Sequence, residues 1–325
     1  MAERTQQAYD VVVVGGGAAG LSAALVLARC LRRVVVVDAG RPRNAAAAHL
    51  HNFLTRDGMP PAEFLAAARA EVAGYGVEIL TGTVRAVDRT QTGFTVVVED
   101  GPMLLARRVL AATGLTDELP DLPGIHQRWG RDVLHCPYCH GYEVRGRPLG
   151  ILAESPMAVH MALQLGQWSP DVVLFRHTLP DSDVGEQERA ALAARDVRIV
   201  EGRVTGLVVE NDQLTGVRLV DGTVVARSAL FVASRPVPRD AVLTALGATT
   251  EQDTAQRRWV STDPMGRTSV PGAWAVGNVA RPAGQLVTFA ADGTLAAIGL
   301  NADLVSEDIT LAQAARHTPV AVSSS

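Results

Sequence analysis

The sequence predicts an α/β protein built on a dinucleotide-binding strand, turn and helix, with chain enough for two domains. Three observations predict it. The apolar run Asp10–Val14 breaks at Gly15-Gly16-Gly17-Ala18-Ala19-Gly20 and resumes as the helix-forming stretch Leu21–Ala28. A second apolar run, Arg33–Asp38, ends in an acid about twenty residues beyond the glycines, where a carboxylate reaches ribose hydroxyls. The chain has 325 residues, and one domain takes roughly 150.

Each element follows from its own residues. Gly15 permits the tight turn, Gly17 lets backbone approach a pyrophosphate, and Gly20 lets helix and strand pack closely. The helix start at Ala18 and Ala19 offers amide donors to phosphate. Asp38, followed by Ala39, closes the ribose side. Cys30, at the end of the helix, is expected as a small buried hydrophobe. Arg41-Pro42-Arg43-Asn44 and His49–Leu54 form an irregular polar segment containing His51 and Asn52, whose value depends on the fold. A helix is expected over Pro61–Ala73 and strands over Val77–Val98, including Val84. Val109–Ala112 is an apolar run ending in the small turn Thr113-Gly114. Near the C-terminus, Ser269–Asn278 reads as strand and loop with Gly277 and Asn278 at its end. Gly284 then opens a helix whose amides at Gln285, Leu286 and Val287 can face an anion. The tail after Ala315, ending in three serines, is expected to be disordered.

Composition limits the function. Hydrophobic residues make up 47% and charged residues 20%, with 30 glycines, as in a compact globular protein. The net charge of −4 leaves no electrostatic footprint for nucleic acid. No apolar run is long enough to span a membrane, and the N-terminus shows no signal-peptide pattern, so a soluble cytoplasmic protein is expected.

The chemistry sits in His135-Cys136-Pro137-Tyr138-Cys139-His140-Gly141-Tyr142-Glu143, which holds two of three cysteines and two of eight histidines. Four readings of the pair are open on residues alone. Cys-Pro-Tyr-Cys suits a glutaredoxin-like turn, yet no small βαβ domain of that kind surrounds it. Cys-x-x-Cys-His spells covalent haem attachment, which belongs to exported chains. Zinc needs a second ligand pair, and none stands at ligand spacing, so no metal is expected. A purely structural disulfide is unusual in the cytoplasm.

These residues resemble the flavoprotein disulfide reductases, in the low-molecular-weight thioredoxin reductase branch, over nearly the whole chain. The resemblance rests on the N-terminal glycine turn with Asp38, Ala112-Thr113-Gly114, the mid-chain Cys-x-x-Cys, and Pro271-Gly272 through Gly277-Asn278 before a helix. It implies two Rossmann-like, three-layer domains, the first discontinuous. Residues 1–115 and 247–325 would bind FAD, and 116–246 would be an inserted NADPH-domain-like module carrying redox-active cysteines. It implies FAD contacts at Gly15, Gly17, Ala18, Ala19, Gly20, Asp38, Ala39, Arg43, Asn52, Val84, Thr113, Gly114, Gly277, Asn278, Gln285, Leu286 and Val287. Asn278 stands where the family has an Asp on the ribityl chain, and it can still make a hydrogen bond there. A homodimer is implied as well.

The insert departs from that pattern. Ala153 and Ser155 occupy the positions of its nucleotide-turn glycines, with Glu154 between them, so a Cβ obstructs each approach and a carboxylate opposes a pyrophosphate. After Val172–Phe175 the family's cationic cluster for the NADPH 2′-phosphate is reduced to Arg176-His177-Thr178. His140 replaces the acid that follows the second cysteine in thioredoxin reductases. Cys-Pro-Tyr-Cys-His-Gly-Tyr-Glu instead resembles the thioredoxin-reductase-like dithiol oxidases that close disulfides in gliotoxin, holomycin and romidepsin, with the bacterial holomycin type most similar. That resemblance implies a small dithiol substrate, O2 as acceptor and H2O2 as product, in antibiotic biosynthesis and self-protection.

On this reading Cys136 and Cys139 are the redox pair, His140 the first choice of general base and His135 the second. Glu143 and Tyr142 pack or cap the motif, and His126 and His160 are exposed or structural. Trp129 lines a cleft or the core. Competing readings are a reductase fed by NADPH or another donor such as ferredoxin, and a flavoprotein redox sensor.

Overall fold

The computed structural model describes residues 7–253 and 255–317. In chain order, β1 (Gln7–Val14), α1 (Ala18–Arg29), β2 (Val34–Asp38), α2 (Pro61–Ala73), β3 (Glu78–Thr81), β4 (Val84–Arg89), β5 (Phe94–Val98) and β6 (Met103–Ala111) come first. Next are β7 (Leu115–Glu118), α3 (Ile125–Arg128), β8 (Val133–Leu134), α4 (Pro137–His140), β9 (Leu149–Leu152), α5 (Met157–Leu165) and β10 (Val172–Phe175). They are followed by α6 (Glu186–Ala194), β11 (Arg198–Val200), β12 (Val204–Glu210), β13 (Gln213–Leu219), β14 (Val224–Ala226), β15 (Ala229–Val232) and β16 (Arg235–Pro238). The chain closes with α7 (Ala241–Ala245), β17 (Thr250–Gln252), β18 (Arg258–Val260), β19 (Ala273–Ala275) and α8 (Leu286–His317).

These elements form two compact units. The first comprises residues 1–42, 63–116 and 238–325, the second 43–62 and 117–237. Residues 43–62, grouped with the FAD segment on sequence, pack with the second unit. A polar loop without an apolar period has no local signal for where it docks.

In the first unit, strands run in the order β3-β2-β1-β6-β5-β4, with β19 on β6. β1, β2, β3, β6 and β19 are parallel, and β5 turns the sheet antiparallel. Val11–Val14 and Val34–Val37 are buried on both faces, which explains why they read as unbroken apolar runs rather than alternating ones. α1 and α8 cover one face with Leu21, Leu27, Ala296, Ala297, Leu300 and Leu304. Gly293 of α8 meets α1 so closely that a Cβ would overlap the Ala19 carbonyl oxygen.

The second unit has a parallel sheet in the order β11-β10-β9-β15-β8 beside an antiparallel sheet β12-β13-β14. Helices α5 and α6 lie over a core of Leu149, Ile151, Val159, Leu165, Leu174 and Phe231. Both units therefore repeat a strand, crossover, parallel strand plan.

Two further expectations are corrected. Cys30 is exposed, because it caps the C-terminus of α1 where the chain turns outward through Leu31 at φ 61°. Residues 316–317, expected in a disordered tail, continue α8; residues 318–325 lie outside the described residues. Among the described residues no helix is long and apolar enough to cross a membrane, and no cluster of His, Cys, Asp or Glu could hold a metal.

Candidate active site

Two glycines of the dinucleotide turn, Gly15 and Gly20, leave no room for a side chain. Gly15 has φ +108°, and a Cβ on it would overlap the Ala112 carbonyl oxygen. A Cβ on Gly20 would overlap Gly15 O, and one on Gly16 would lie 2.9 Å from the Asp38 carboxyl group. Gly17 differs, since nothing stands within 4 Å of its built Cβ. It is the N-cap of α1 and makes no side-chain cap hydrogen bond, which leaves the first amides of the helix to an anion. Asp38 accepts a 2.6 Å hydrogen bond from Arg69 through Oδ2.

The remaining candidates of the first unit are placed as follows. Thr113 donates through Oγ1 to Arg239 O at 2.6 Å, beside Gly114 at φ +72°. Val84 opens β4, half-buried, and Ala39 is exposed just past β2. Gly277 is buried at φ +71°, and Asn278 Nδ2 donates to Arg281 O at 3.0 Å. The Gln285 amide donates to Thr288 Oγ1 at 3.4 Å, and Leu286 and Val287 begin α8. This cradle fits FAD: a glycine turn open at Gly17, a helix start and a carboxylate at the end of β2.

Arg43 and Asn52, expected on the flavin, have other partners within the second unit. Arg43 donates to both oxygens of Asp117, at 2.7 Å each. Asn52 Nδ2 donates to the Tyr138 carbonyl at 2.8 Å.

Cys136 and Cys139 form a disulfide with Cα atoms 5.2 Å apart. The local sequence dictates the turn that holds it. Cys136 is extended (φ −114°, ψ 114°) as N-cap, and Pro137 fits the first helical position, where its missing N–H is not needed. The Cys139 amide donates to Cys136 Sγ at 3.2 Å. A Cβ on Gly141, which ends the turn, would lie 2.7 Å from the Trp168 ring, and Trp168 meets Tyr138 edge-on at 6.2 Å. Tyr138 and Tyr142 are themselves exposed.

The two histidines differ in surroundings. Burial pushes the His140 imidazole below its ordinary value, Glu143 opposes the shift, and His51 and His135 reinforce it. Its Nδ1 is buried and has no hydrogen-bond partner among the described residues. His135 is also pushed down by burial and by Arg43, with Asp117 opposing. Its Nδ1 lies 3.4 Å from Val232 O and 3.5 Å from Ser234 Oγ, and Ser234 donates to Asp117 at 2.6 Å. Although burial works upward on Asp117, Arg43 holds its carboxyl below the usual range.

Asp117, Ser234 and Arg43 thus form a support beneath His135 that no local motif announces. His51 and Glu143 are brought within 3.5 Å of each other. Trp129 is half-buried, tilted against His135 at 6.3 Å. His126 and His160 are exposed.

Residues 9–316 match the family of pyridine nucleotide-disulphide oxidoreductases. The chain belongs to this family. Within this oxidoreductase family, thioredoxin reductase tcpT of Claviceps purpurea (strain 20.1) is 34% identical over 284 residues, covering 84% of this chain and 87% of that protein. Thioredoxin reductase aclD of Aspergillus oryzae (strain ATCC 42149 / RIB 40) is 30% identical over 311 residues, covering 92% and 98%. Among solved structures, HlmI is 54% identical with a TM-score of 0.89, covering 95% of this chain and 96% of its own. The protein is an FAD-dependent disulfide oxidoreductase of the thioredoxin-reductase-like kind.

Proposed function

We propose that the protein is a dithiol oxidase. It would close an intramolecular disulfide in a small, dithiolopyrrolone-like molecule and pass the electron pair from the Cys136/Cys139 pair to FAD and O2, giving H2O2. One observation carries this reading: the second unit keeps its disulfide while its nucleotide site is occupied by acids. Ala153 is fully buried where β9 ends, and Glu154 follows, its carboxyl pushed up by burial. Pro156 stands at the N-cap of α5, which removes an amide a phosphate would use. Arg176 pairs with Glu201 and with Asp181, the latter at 3.2 Å, so its charge is already neutralised. His177 faces inward, accepting the Val204 amide at 3.0 Å. A 2′-phosphate would meet Asp181 and Glu201 paired with Arg176, with Arg203, whose charge acts on His177, as the remaining cation nearby.

The chain's own steps follow from the site. His140, neutral at pH 7, takes the proton from a substrate thiol. The thiolate attacks Cys136 Sγ, the Cys136–Cys139 bond breaks, and Cys139 leaves with the electron pair. His140 releases its proton to solvent and takes that of the second substrate thiol, whose thiolate attacks the substrate sulfur of the mixed disulfide. Cys136 leaves as thiolate, stabilised by the Cys139 N–H already aimed at Sγ. When bound, FAD supplies the two-electron acceptor that restores the disulfide and the reactivity towards O2.

The names of tcpT and aclD favour a second reading, a reductase fed by NADPH or another donor. One experiment separates the two. The FAD-loaded protein is mixed without oxygen with NADPH or with dithiothreitol, and the flavin absorbance is followed. Bleaching by the dithiol alone, reversed by air with one H2O2 per disulfide, is expected; rapid bleaching by NADPH would replace the oxidase reading with the reductase one. The reading also includes a cytoplasmic homodimer acting in antibiotic biosynthesis and self-protection, of which light scattering tests the dimer.

A further inference from the structure

Residues 50–59 close on themselves in the second unit. The Leu50 amide donates to Met59 O and the Gly58 amide to Leu50 O, each at 2.9 Å, and Leu50 is buried. Asn52 and Thr55 take φ of 63° and 73°, a left-handed conformation that asparagine adopts readily but that a β-branched threonine holds only where its surroundings impose it. Two hydrogen bonds fix Asn52. Its amide donates to Asp57 Oδ1 at 2.9 Å, and its Nδ2 donates to the Tyr138 carbonyl inside the Cys-Pro-Tyr-Cys turn at 2.8 Å.

The adjoining His51 is set between two carboxylates. Its Nδ1 lies 3.3 Å from Asp57 Oδ1, and its Nε2 lies 3.5 Å from Glu143 Oε1. Glu143, just after the redox turn, faces His51 on one side and acts on His140 on the other. His140 therefore meets Glu143 from its own segment, His51 backed by Asp57 from the loop, and His135 backed by Asp117 and Arg43. Glu143 is the anion among its immediate neighbours. A buried imidazole that takes up a proton incurs a desolvation cost that a held carboxylate offsets.

We propose that the 50–59 loop is a positioning element of the thiol-exchange centre, in which His51 holds Glu143 as counter-charge to His140 once His140 has taken the substrate proton. In that step the S–H bond breaks, an N–H bond forms on His140, and the released thiolate attacks Cys136 with Cys139 leaving. The proposal rests on the dithiol reading above. Asn52 fixes the turn, and His51 fixes the charge beside it.

The test uses the FAD-loaded full chain, anaerobic stopped-flow bleaching of the flavin, and dithiothreitol as probe, across the pH range in which histidine titrates. Glu143→Gln should move the acid limb of the rate to lower pH, because His140 loses the group that opposes its downward shift, and should lower the plateau about tenfold. His51→Ala should lower the plateau about fivefold in the wild-type background and no further in Glu143→Gln, as two residues acting through one contact are non-additive. The acid limb of His51→Ala alone does not discriminate, since that change both loosens Glu143 and removes a second histidine facing His140. Asp57→Asn, at an exposed position, serves the same cycle if His51→Ala is isolated without flavin. Equal losses in both backgrounds, or an unmoved limb in Glu143→Gln, overturn the positioning role and leave the dithiol reading standing. A wild-type flavin that dithiothreitol does not bleach overturns both.

Discussion

At the scale of single residues the proposed reading divides the chemistry between two sulfurs and a buried base. Replacing Cys139 with serine removes the sulfur that leaves with the electron pair, so dithiol-driven bleaching should be abolished; full activity in that variant would sink the cysteine assignment. His140→Ala should slow bleaching by about a hundredfold, the lower end of what a general base contributes. Because burial holds the His140 imidazole below its ordinary value, its neutral form persists as the solution is acidified. The bleaching rate should therefore stay level as pH falls through about 6.5 and decline only below it. An acid limb at or above that value would point to another base. Gly20→Ala forces a Cβ into the Gly15 carbonyl oxygen, and the purified variant should show a much lower ratio of flavin to protein absorbance.

Among the elements, the four-residue redox turn α4 has almost no stability of its own, since so short a helix is far below the length that persists alone. Its shape comes from neighbours: Trp168 over Gly141, Asn52 on the Tyr138 carbonyl, and the Arg43–Asp117–Ser234 support near His135. Asp117 is buried in that support, and removing Arg43 would leave its charge unpaired. Arg43→Ala should cost about 3 kcal/mol in urea unfolding of the second unit, the scale for breaking a buried pair, reduced because Arg43 itself is part-exposed. A loss within error would show that Ser234 and solvent suffice.

For the whole molecule, pH acts on stability through histidines buried in neutral form. His135, His140 and His177 are all pushed below their ordinary value, mainly by burial. Below about pH 6.5 the unfolded chain binds more protons than the folded one, so stability present above that value is lost as pH falls towards the lowered ones. Calorimetry should show the melting temperature falling from neutral pH to about pH 5, with a smaller fall in a variant carrying His177→Gln, whose amide can keep the Val204 hydrogen bond. FAD binds only the folded state, so its removal should lower the melting temperature as well.

The sequence by itself determined the first strand–turn–helix with its glycine cradle and the spacing that lets Cys136 and Cys139 pair; the redox role of that pair and the altered turn of the insert came from resemblance to a family. The first two are written in adjacent residues: Gly15 to Gly20 with Asp38, and Cys136 to Cys139. Local backbone geometry leaves little else for such stretches to become. What only the tertiary structure decided are the partners of groups distant in the chain. The ion pair of Arg43 with Asp117, and those of Arg176 with Asp181 and Glu201, are invisible along the chain. Cys30 reads as buried until its helix end turns outward, and His51 as a loop polar until Asp57 and Glu143 flank it. Charge pairing and burial depend on distances in space, which no period or motif along the chain encodes.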